Sequence, residues 1–386
     1  MRPEADGALE VALDVSAVPE RPAGAGRYIV ELARALAGRG DCGLRLISRC
    51  DDTDRWERTA PGRQVLAVAP RDRLSRVLYE QARLASVVAR LGPPAVAVHH
   101  GPHYTMPRRS KVPCVVTVHD MTFFDHPEWH ERSKVLWFRS ATRHSVRHAA
   151  VIVCVSETTA QRLRDLLHPP CPVMAVPNGV DQSRFAVEEP EPGADREVLA
   201  RFGLERPYLF HLGTLEPRKG VVDLVAAFDL LAPNDPDLDL VLAGASGWKA
   251  QPALQAIATA RSHARVRRLG YVADQDVPAL LRGARAVVYP SLEEGFGLPA
   301  LEALACGAPL VTTAGTAMAE LAGESALLAP ARRPEALASA VESAIAAIGS
   351  PAGSRRRQAG IAIAARHSWE ACAEGHMEAY RLAARS

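Results

Sequence analysis

Short aliphatic and β-branched runs recur along the chain, with amphipathic stretches between them. In the first half they cover 11–18, 44–48, 65–69, 95–100, 114–120, 150–156 and 173–176. Most are apolar almost throughout, the pattern of parallel strands covered on both faces. Between them, 27–37 sets Ile29, Leu32, Ala33 and Leu36 on one helical face, and 74–91 and 133–149 repeat that pattern. Residues 186–206 interrupt it. Glu188, Glu189, Pro190, Glu191, Pro192 and Gly193 make a polar, proline-broken stretch that reads as a linker. The alternation then restarts, with strands over 208–213, 238–244, 266–272, 286–290, 309–313 and 326–328 and helices over 221–231 and 334–347. Two such arrays predict an α/β protein of two doubly wound, Rossmann-like domains, 1–183 and 207–365, joined by a linker at 184–206. The crevice between them is the default ligand site.

A length of 386 residues agrees with two cores rather than one. Lys plus Arg number 46 against 44 Asp plus Glu, for a net charge of +2. That balance lacks the basic excess of a dedicated nucleic-acid binder, so no nucleic acid is expected as a partner. With 48% hydrophobic and 23% charged residues, disorder over most of the chain is excluded. No apolar run reaches the roughly 18 residues of a membrane span. With Glu4, Asp6 and Glu10 and no apolar stretch in the first ten positions, no secretory signal is expected. The seven cysteines form no Cys-x-x-Cys pair, and several lie in apolar runs, so reduced, buried thiols in a cytoplasmic protein are expected.

Three segments carry candidate chemistry. Gly24-Ala25-Gly26 follows the first strand and opens a helix. It suits close approach to a phosphate, a mere tight turn, or an incomplete dinucleotide fingerprint with Ile29 where the third Gly belongs. Arg218 and Lys219 follow the first strand of the second half and suit a diphosphate: Arg grips two oxygens and Lys adds a point charge. A solvated basic turn is the bland alternative. The most informative run is Glu294-Gly295-Phe296-Gly297-Leu298-Pro299, continuing to Glu302. It predicts two carboxylates flanking exposed backbone N–H groups at a helix start, which suits sugar hydroxyls and phosphate together. His119, at the end of the strand 114–120, stands between a ligand contact and a structural histidine. His99, His100 and His103 do not make a metal site, because His99 and His100 point to opposite strand faces. Asp51, Asp52 and Asp54 read as a solvated loop. No metal and no cofactor are expected.

With these residues in view, the chain resembles retaining glycosyltransferases of family 4, which have the GT-B fold, over nearly its whole length. The matching motifs are E-x7-E from Glu294 to Glu302, G-T-L-E-P-R-K-G at 213–220, H-D at 119–120, P-N-G-V-D at 177–181 and G-A-G-R-Y at 24–28. Residues 366–386 look like the family's last helix, which crosses back to the first domain. The subgroup looks like mannosyltransferases of surface-polysaccharide assembly. The resemblance implies a nucleotide-diphosphate sugar donor bound by the second domain and a saccharide or lipid-linked acceptor on the side of the first. It gives Arg218 and Lys219 to the diphosphate, Glu302 to the ribose and Glu294 to the transferred sugar. It gives Gly295, Phe296, Gly297 and Leu298 to sugar and phosphate through their backbone, and Gly24, Ala25 and Gly26 to the phosphate from the other domain. His119 would contact the sugar near its anomeric carbon, and Val272 would lie near the base. Many relatives carry Arg directly after the glycine at 213; this chain has Thr214, which shifts the diphosphate charge onto Arg218 and Lys219. Transfer without a divalent metal is implied, with a hexose moved, mannose from GDP-mannose first and a UDP- or dTDP-sugar as the alternative.

Two other classes share the architecture: a nicotinamide oxidoreductase using Gly24 to Gly26, and a two-lobed solute-binding protein. The charge is uneven, with 25 Lys plus Arg against 20 Asp plus Glu in 1–183. Within it, 130–150 carries Arg132, Lys134, Arg139, Arg143 and Arg147 around Val135, Leu136, Trp137 and Phe138. Two readings of that helix stand open. Its aromatic residues face the core while its arginines are solvated, or it makes peripheral contact with the inner face of a membrane.

Overall fold

The computed structural model describes residues 7–91 and 94–386. Among them thirteen strands form, one overlapping each expected run, and every pairing is parallel. The first sheet holds β1 (Leu9–Asp14), β2 (Cys42–Arg49), β3 (Gln64–Ala69), β4 (Val98–Gly101), β5 (Cys114–Val118), β6 (Val151–Cys154) and β7 (Val173–Ala175), in the order β3-β2-β1-β4-β5-β6-β7. The second holds β8 (Tyr208–Leu212), β9 (Asp239–Ala243), β10 (Val266–Gly270), β11 (Ala286–Tyr289), β12 (Leu310–Thr313) and β13 (Ala326–Ala329), in the order β10-β9-β8-β11-β12-β13. Strand order reverses once in each sheet, between β1 and β4 and between β8 and β11. Open α/β sheets bind ligands beyond the carboxyl ends of the strands at such a switch point.

The helices that matter below are α1 (Ala25–Ala37), α2 (Arg132–His148), α3 (Ala194–Arg201), α4 (Val221–Leu231), α5 (Leu298–Ala305), α6 (Pro334–Ala346), α7 (Pro351–Arg366) and α8 (Trp369–Ala383). α1 buries Tyr28, Ile29, Leu32, Ala33 and Leu36, the face its spacing predicts. In the second sheet, β8, β9 and β11 supply Leu209, Leu240, Leu242 and Val288 to a core shared with Leu224, Phe228 and Leu231 of α4 and Val341 of α6.

The chain separates into two units. One runs to Asn178 and resumes at Trp369–Ser386; the other is Gly179–Ser368 with Glu128–His130. Within the first unit α8 is tied in by buried hydrogen bonds. Tyr28 Oη lies 2.7 Å from His376 Nε2 and 2.9 Å from Thr117 Oγ1. His100 Nε2 lies 2.9 Å from Thr117 Oγ1, and His100 Nδ1 lies 2.7 Å from Tyr380 Oη. His376 Nδ1 is 2.8 Å from the Cys372 carbonyl, so that nitrogen must carry a proton. His376 Nε2 then accepts from Tyr28, Tyr28 accepts from Thr117, Thr117 accepts from His100 Nε2–H, and His100 Nδ1 accepts from Tyr380. With both imidazoles neutral, the proton count allows this arrangement alone.

Three expectations about the elements need correction. β1 stops at Asp14 because Val18 N–H turns back to the Val15 carbonyl at 3.2 Å. The helix expected over 74–91 is broken into Arg73–Tyr79, a π turn Glu80–Leu84 and Ala85–Val88. The stretch 184–206 is not an extended linker: it contains α3, fastened to the second unit by Arg282 to Asp195 at 2.6 Å and by Arg201 to Asp276 at 2.7 Å.

Candidate functional site

At the switch point of the second sheet, β8 is followed by the one-turn helix Pro217–Lys219, and β11 is followed by the run to Glu294. Gly220 brings the two together. Its φ is +65°, and a β-carbon there would lie 2.0 Å from the Pro290 carbonyl oxygen, so only glycine fits. Leu292 N–H then donates to the Arg218 carbonyl at 2.7 Å. Across this seam Arg218 Nη1 donates to Glu294 Oε2 at 2.8 Å, and Lys219 Nζ donates to Glu294 Oε1 at 2.5 Å. Glu294 is buried, with 9% exposure. Burial pushes its carboxyl up, but Arg218 and Lys219 outweigh burial and hold it at about 2. Burial pulls the Lys219 ammonium below its usual value, and Glu294 offsets part of that.

Gly297, with φ +102°, caps α5, and a β-carbon there would lie 2.5 Å from Met318 Cγ. Glu302 on α5 is 1% exposed. One expectation fails here. Gly295, Phe296, Gly297 and Leu298 are buried rather than exposed, and Met318 packs against Gly297. Below the seam lies His211, whose Nδ1–H donates to the Val288 carbonyl at 2.9 Å. Burial, countered in part by that carbonyl, lowers its pKa to about 4, so the ring is neutral and Nε2 keeps a lone pair.

In the first unit, Gly24 precedes α1 with φ +47°, and nothing lies within 4 Å of where its β-carbon would be. The Gly26 amide is already spent on the Ala23 carbonyl at 2.9 Å. His119 follows β5 and donates from Nε2 to the Pro102 carbonyl at 2.8 Å, with its ring edge-on to Tyr28 at 5.0 Å. Burial lowers its pKa, so Nδ1 is left as an acceptor. Asp120 accepts from Thr122 N–H and Oγ1, a local turn.

Sequence profiles divide the chain in the same way. The one described as Glycosyltransferase Family 4 matches residues 22–184, and the one described as Glycosyl transferases group 1 matches 206–347. The O-antigen chain mannosyltransferase B of Escherichia coli is 31% identical over 291 residues, 74% of each chain. This chain belongs to glycosyltransferase family 4. Solved structures agree on the GT-B fold. The sucrose-phosphate synthase of Thermosynechococcus elongatus superimposes with a TM-score of 0.76 at 20% identity, covering 98% of this chain and all of that one. An Anabaena protein, HepE, solved with UDP and glucose, gives 0.74 at 18% identity, covering 97% of this chain and 99% of its own.

The glycosyltransferase places its other predicted site residues unevenly. Val272 is buried after β10, at the edge of the sheet with β9 between it and β8. Among the described residues no three His, Cys, Asp or Glu side chains converge as metal ligands. No helix among them is long and apolar enough to cross a membrane. On α2, Phe138 stacks on Phe123 at 4.4 Å, Arg139 Nε donates to the Phe123 carbonyl at 2.7 Å, and Arg143 sits 5.2 Å over the Phe124 ring. Lys134 is paired with Glu131 at 2.6 Å. Arg132, Arg147 and Leu136 remain outward, Leu136 with 72% exposure.

Sequence reasoning missed a second polar cluster at the first switch point. Asp14 ends β1 and lies on the same sheet face as Ala12, whose register partner on β4 is His99. His99 is buried, and neither ring nitrogen has a hydrogen-bond partner among the described residues. Glu80 enters through the π turn, and burial, with the Asp14 charge adding to it, pushes its carboxyl to about 8. The signal was weak: a π turn leaves no mark in an i, i+4 pattern.

Proposed function

We propose that this enzyme moves a hexose from a nucleotide diphosphate sugar to a saccharide acceptor, free or lipid-linked, with retention of anomeric configuration, and that the donor is GDP-mannose. The observation that carries the reading is the cation pair Arg218 and Lys219, held by Glu294 at the switch point of the second sheet. As the bond from anomeric carbon to phosphate oxygen breaks, negative charge grows on the diphosphate. Preset cations stabilise that change most in the transition state. They supply positive charge that would otherwise call for a divalent ion, and transfer is expected to survive EDTA. Glu294, released as the diphosphate takes over its two cations, accepts a hydroxyl of the sugar. Glu302 accepts the ribose hydroxyls. The backbone of Gly295 to Leu298 lines sugar and phosphate, and Val272 borders the base. In the first unit, His119 and Gly24 to Gly26 lie beyond strand ends and are that unit's groups for the substrate. The leaving phosphate takes the acceptor's proton on the face it departs from, and the new bond forms there. Mannose rests on the 31% identity to the O-antigen mannosyltransferase.

A thermal-shift panel of GDP-, UDP- and dTDP-sugars tests the donor. A ligand at 100 times its Kd adds about 2.7 kcal/mol. The largest shift is expected from GDP-mannose, and NMR of the product is expected to show the donor's anomeric configuration. A shift from UDP-sugars alone would reassign the donor, and an inverted product would end the retaining reading. For a lipid-linked acceptor, α2 would meet an anionic surface through Arg132, Arg147 and Leu136, at about 1 kcal/mol per basic residue. Co-sedimentation with anionic vesicles at low and high salt checks it.

A further inference from the structure

The amino ends of β11, β12 and β13, the edge of the second sheet opposite Glu294, open into a cavity of about 510 Å³ bounded by α5, α6 and α7. That volume is in the range of small-ligand sites, ~300–1,000 Å³. Its floor is aliphatic: Leu304 after the middle of α5, Leu310 at the start of β12, Leu327 in β13, and Ile348, 47% exposed. Its polar lining is four arginines with Ser325 and Ser354, and among the described residues no carboxylate lines it. Arg282 is neutralised by Asp195. Arg285, Arg356 and Arg357 have no ion-pair partner among the described residues. Arg357 lies across the cavity's Gly307, where a β-carbon would sit 2.8 Å from its Nε, so glycine, with φ +67°, makes room for that guanidinium.

The chemistry of the lining selects its ligand. Three unpaired guanidinium groups suit a phosphate, whose oxygens match their forked donors. The floor cannot satisfy hydroxyls or a base. Ser325 Oγ is spent on the Ala322 carbonyl at 2.6 Å, and buried polar groups without partners are costly. A sugar phosphate or nucleotide therefore fits the rim and not the floor. We propose that this cavity binds an anionic alkyl amphiphile, with one alkyl chain on the aliphatic floor and its phosphate head among Arg285, Arg356 and Arg357. Its position at the opposite edge of the sheet makes it separate from the donor site, and the proposal does not depend on which sugar is transferred.

Calorimetry on the full chain with dodecyl phosphate below its micelle concentration tests this. One molecule per chain is expected to bind. Arg356→Glu with Arg357→Glu is expected to weaken it at least tenfold. Ser354→Trp, at an exposed position on the lining, is expected to weaken it as much by filling the space. Dodecyl maltoside, with the same chain and no charge, and inorganic phosphate, with the charge and no chain, are each expected to bind at least tenfold more weakly. Unchanged binding in both variants overturns the proposal. So does inorganic phosphate binding as tightly as dodecyl phosphate, which would leave an anion site only. Equal binding of dodecyl maltoside would leave a greasy surface without selectivity and overturns it too. Both variants lie on the surface of α7, and an unchanged melting temperature confirms that each is folded.

Discussion

Both units bury polar groups near their switch points, and the two clusters are of opposite kinds. In the second unit Arg218, Lys219 and Glu294 are charged; Glu294 serves both cations, and Arg218 also pairs with Glu216 at 3.4 Å. In the first, Tyr28, Thr117, His100, His376 and Tyr380 are neutral, and each proton in the chain of bonds already has one acceptor. A cluster with all donors and acceptors matched has nothing to offer a ligand and is a device for holding α8. A cluster of ion pairs can exchange partners, and an incoming anion takes Arg218 and Lys219 over from their carboxylates. The distinction lies in charge and in access, because Arg218 and Lys219 keep part of their surface open whereas the five groups of the first cluster are fully buried.

The sharpest way to break this contrast is in the charged cluster. Arg218→Ala and Lys219→Ala are each expected to slow transfer about a hundredfold, the usual cost of removing one preset donor to a developing anion. Steady-state kcat/KM measures it, and near-normal values in both variants would remove these residues from the diphosphate site.

Acid probes the neutral cluster. Folded His376 resists protonation down to about 4, because burial outweighs the help of the Cys372 carbonyl, against 6.5 for an exposed histidine. The unfolded chain takes up that proton first as pH falls. Stability is therefore complete above pH 6.5 and is lost between 6.5 and 4, on the order of 3 kcal/mol for this residue. Denaturant midpoints across that range check it. A flat profile would mean that the ring is not held neutral.

A smaller effect is expected from Tyr380→Phe, which leaves His100 Nδ1 buried without its donor at a cost of about 1–3 kcal/mol. Melting temperature should fall while affinity for free GDP stays unchanged, and loss of GDP binding would erase the division of labour between the clusters. The smallest effect has an unusual sign. Glu294→Gln removes the resident anion that competes with a diphosphate for Arg218 and Lys219. Free GDP is expected to bind about tenfold more tightly, or 1.4 kcal/mol, while transfer declines because the sugar loses its acceptor. Weaker GDP binding in this variant would show that Glu294 assists the diphosphate.

The strands were legible because parallel β-structure buried on both faces must be written in continuous apolar runs, as at 151–154 and 286–289. The E-x7-E run and the Arg218-Lys219 pair were legible as donor chemistry because each is contiguous in the chain. Their pairing was not: residues 218 and 294 meet only because β8 and β11 are neighbours, and strand order leaves no trace in local pattern. The proline-rich stretch at 186–206 misled for the opposite reason. Its composition forbids a long helix, yet 194–201 contains no proline, and two arginine–aspartate pairs tie it to the second unit. The packing against Gly297 comes from Met318, 21 residues further on.

The return of α8 to the first unit sets an order of manufacture. A ribosome completes every strand of the first sheet, then all of the second unit, before it reaches Trp369. Through that interval Tyr28, Thr117 and His100 face a vacancy where His376 and Tyr380 will lie, and the apolar side of α1 lacks part of its cover. The first unit is thus the older part of the nascent chain and the later one to be finished, and a chain cut anywhere in the second unit would expose both to proteases and chaperones.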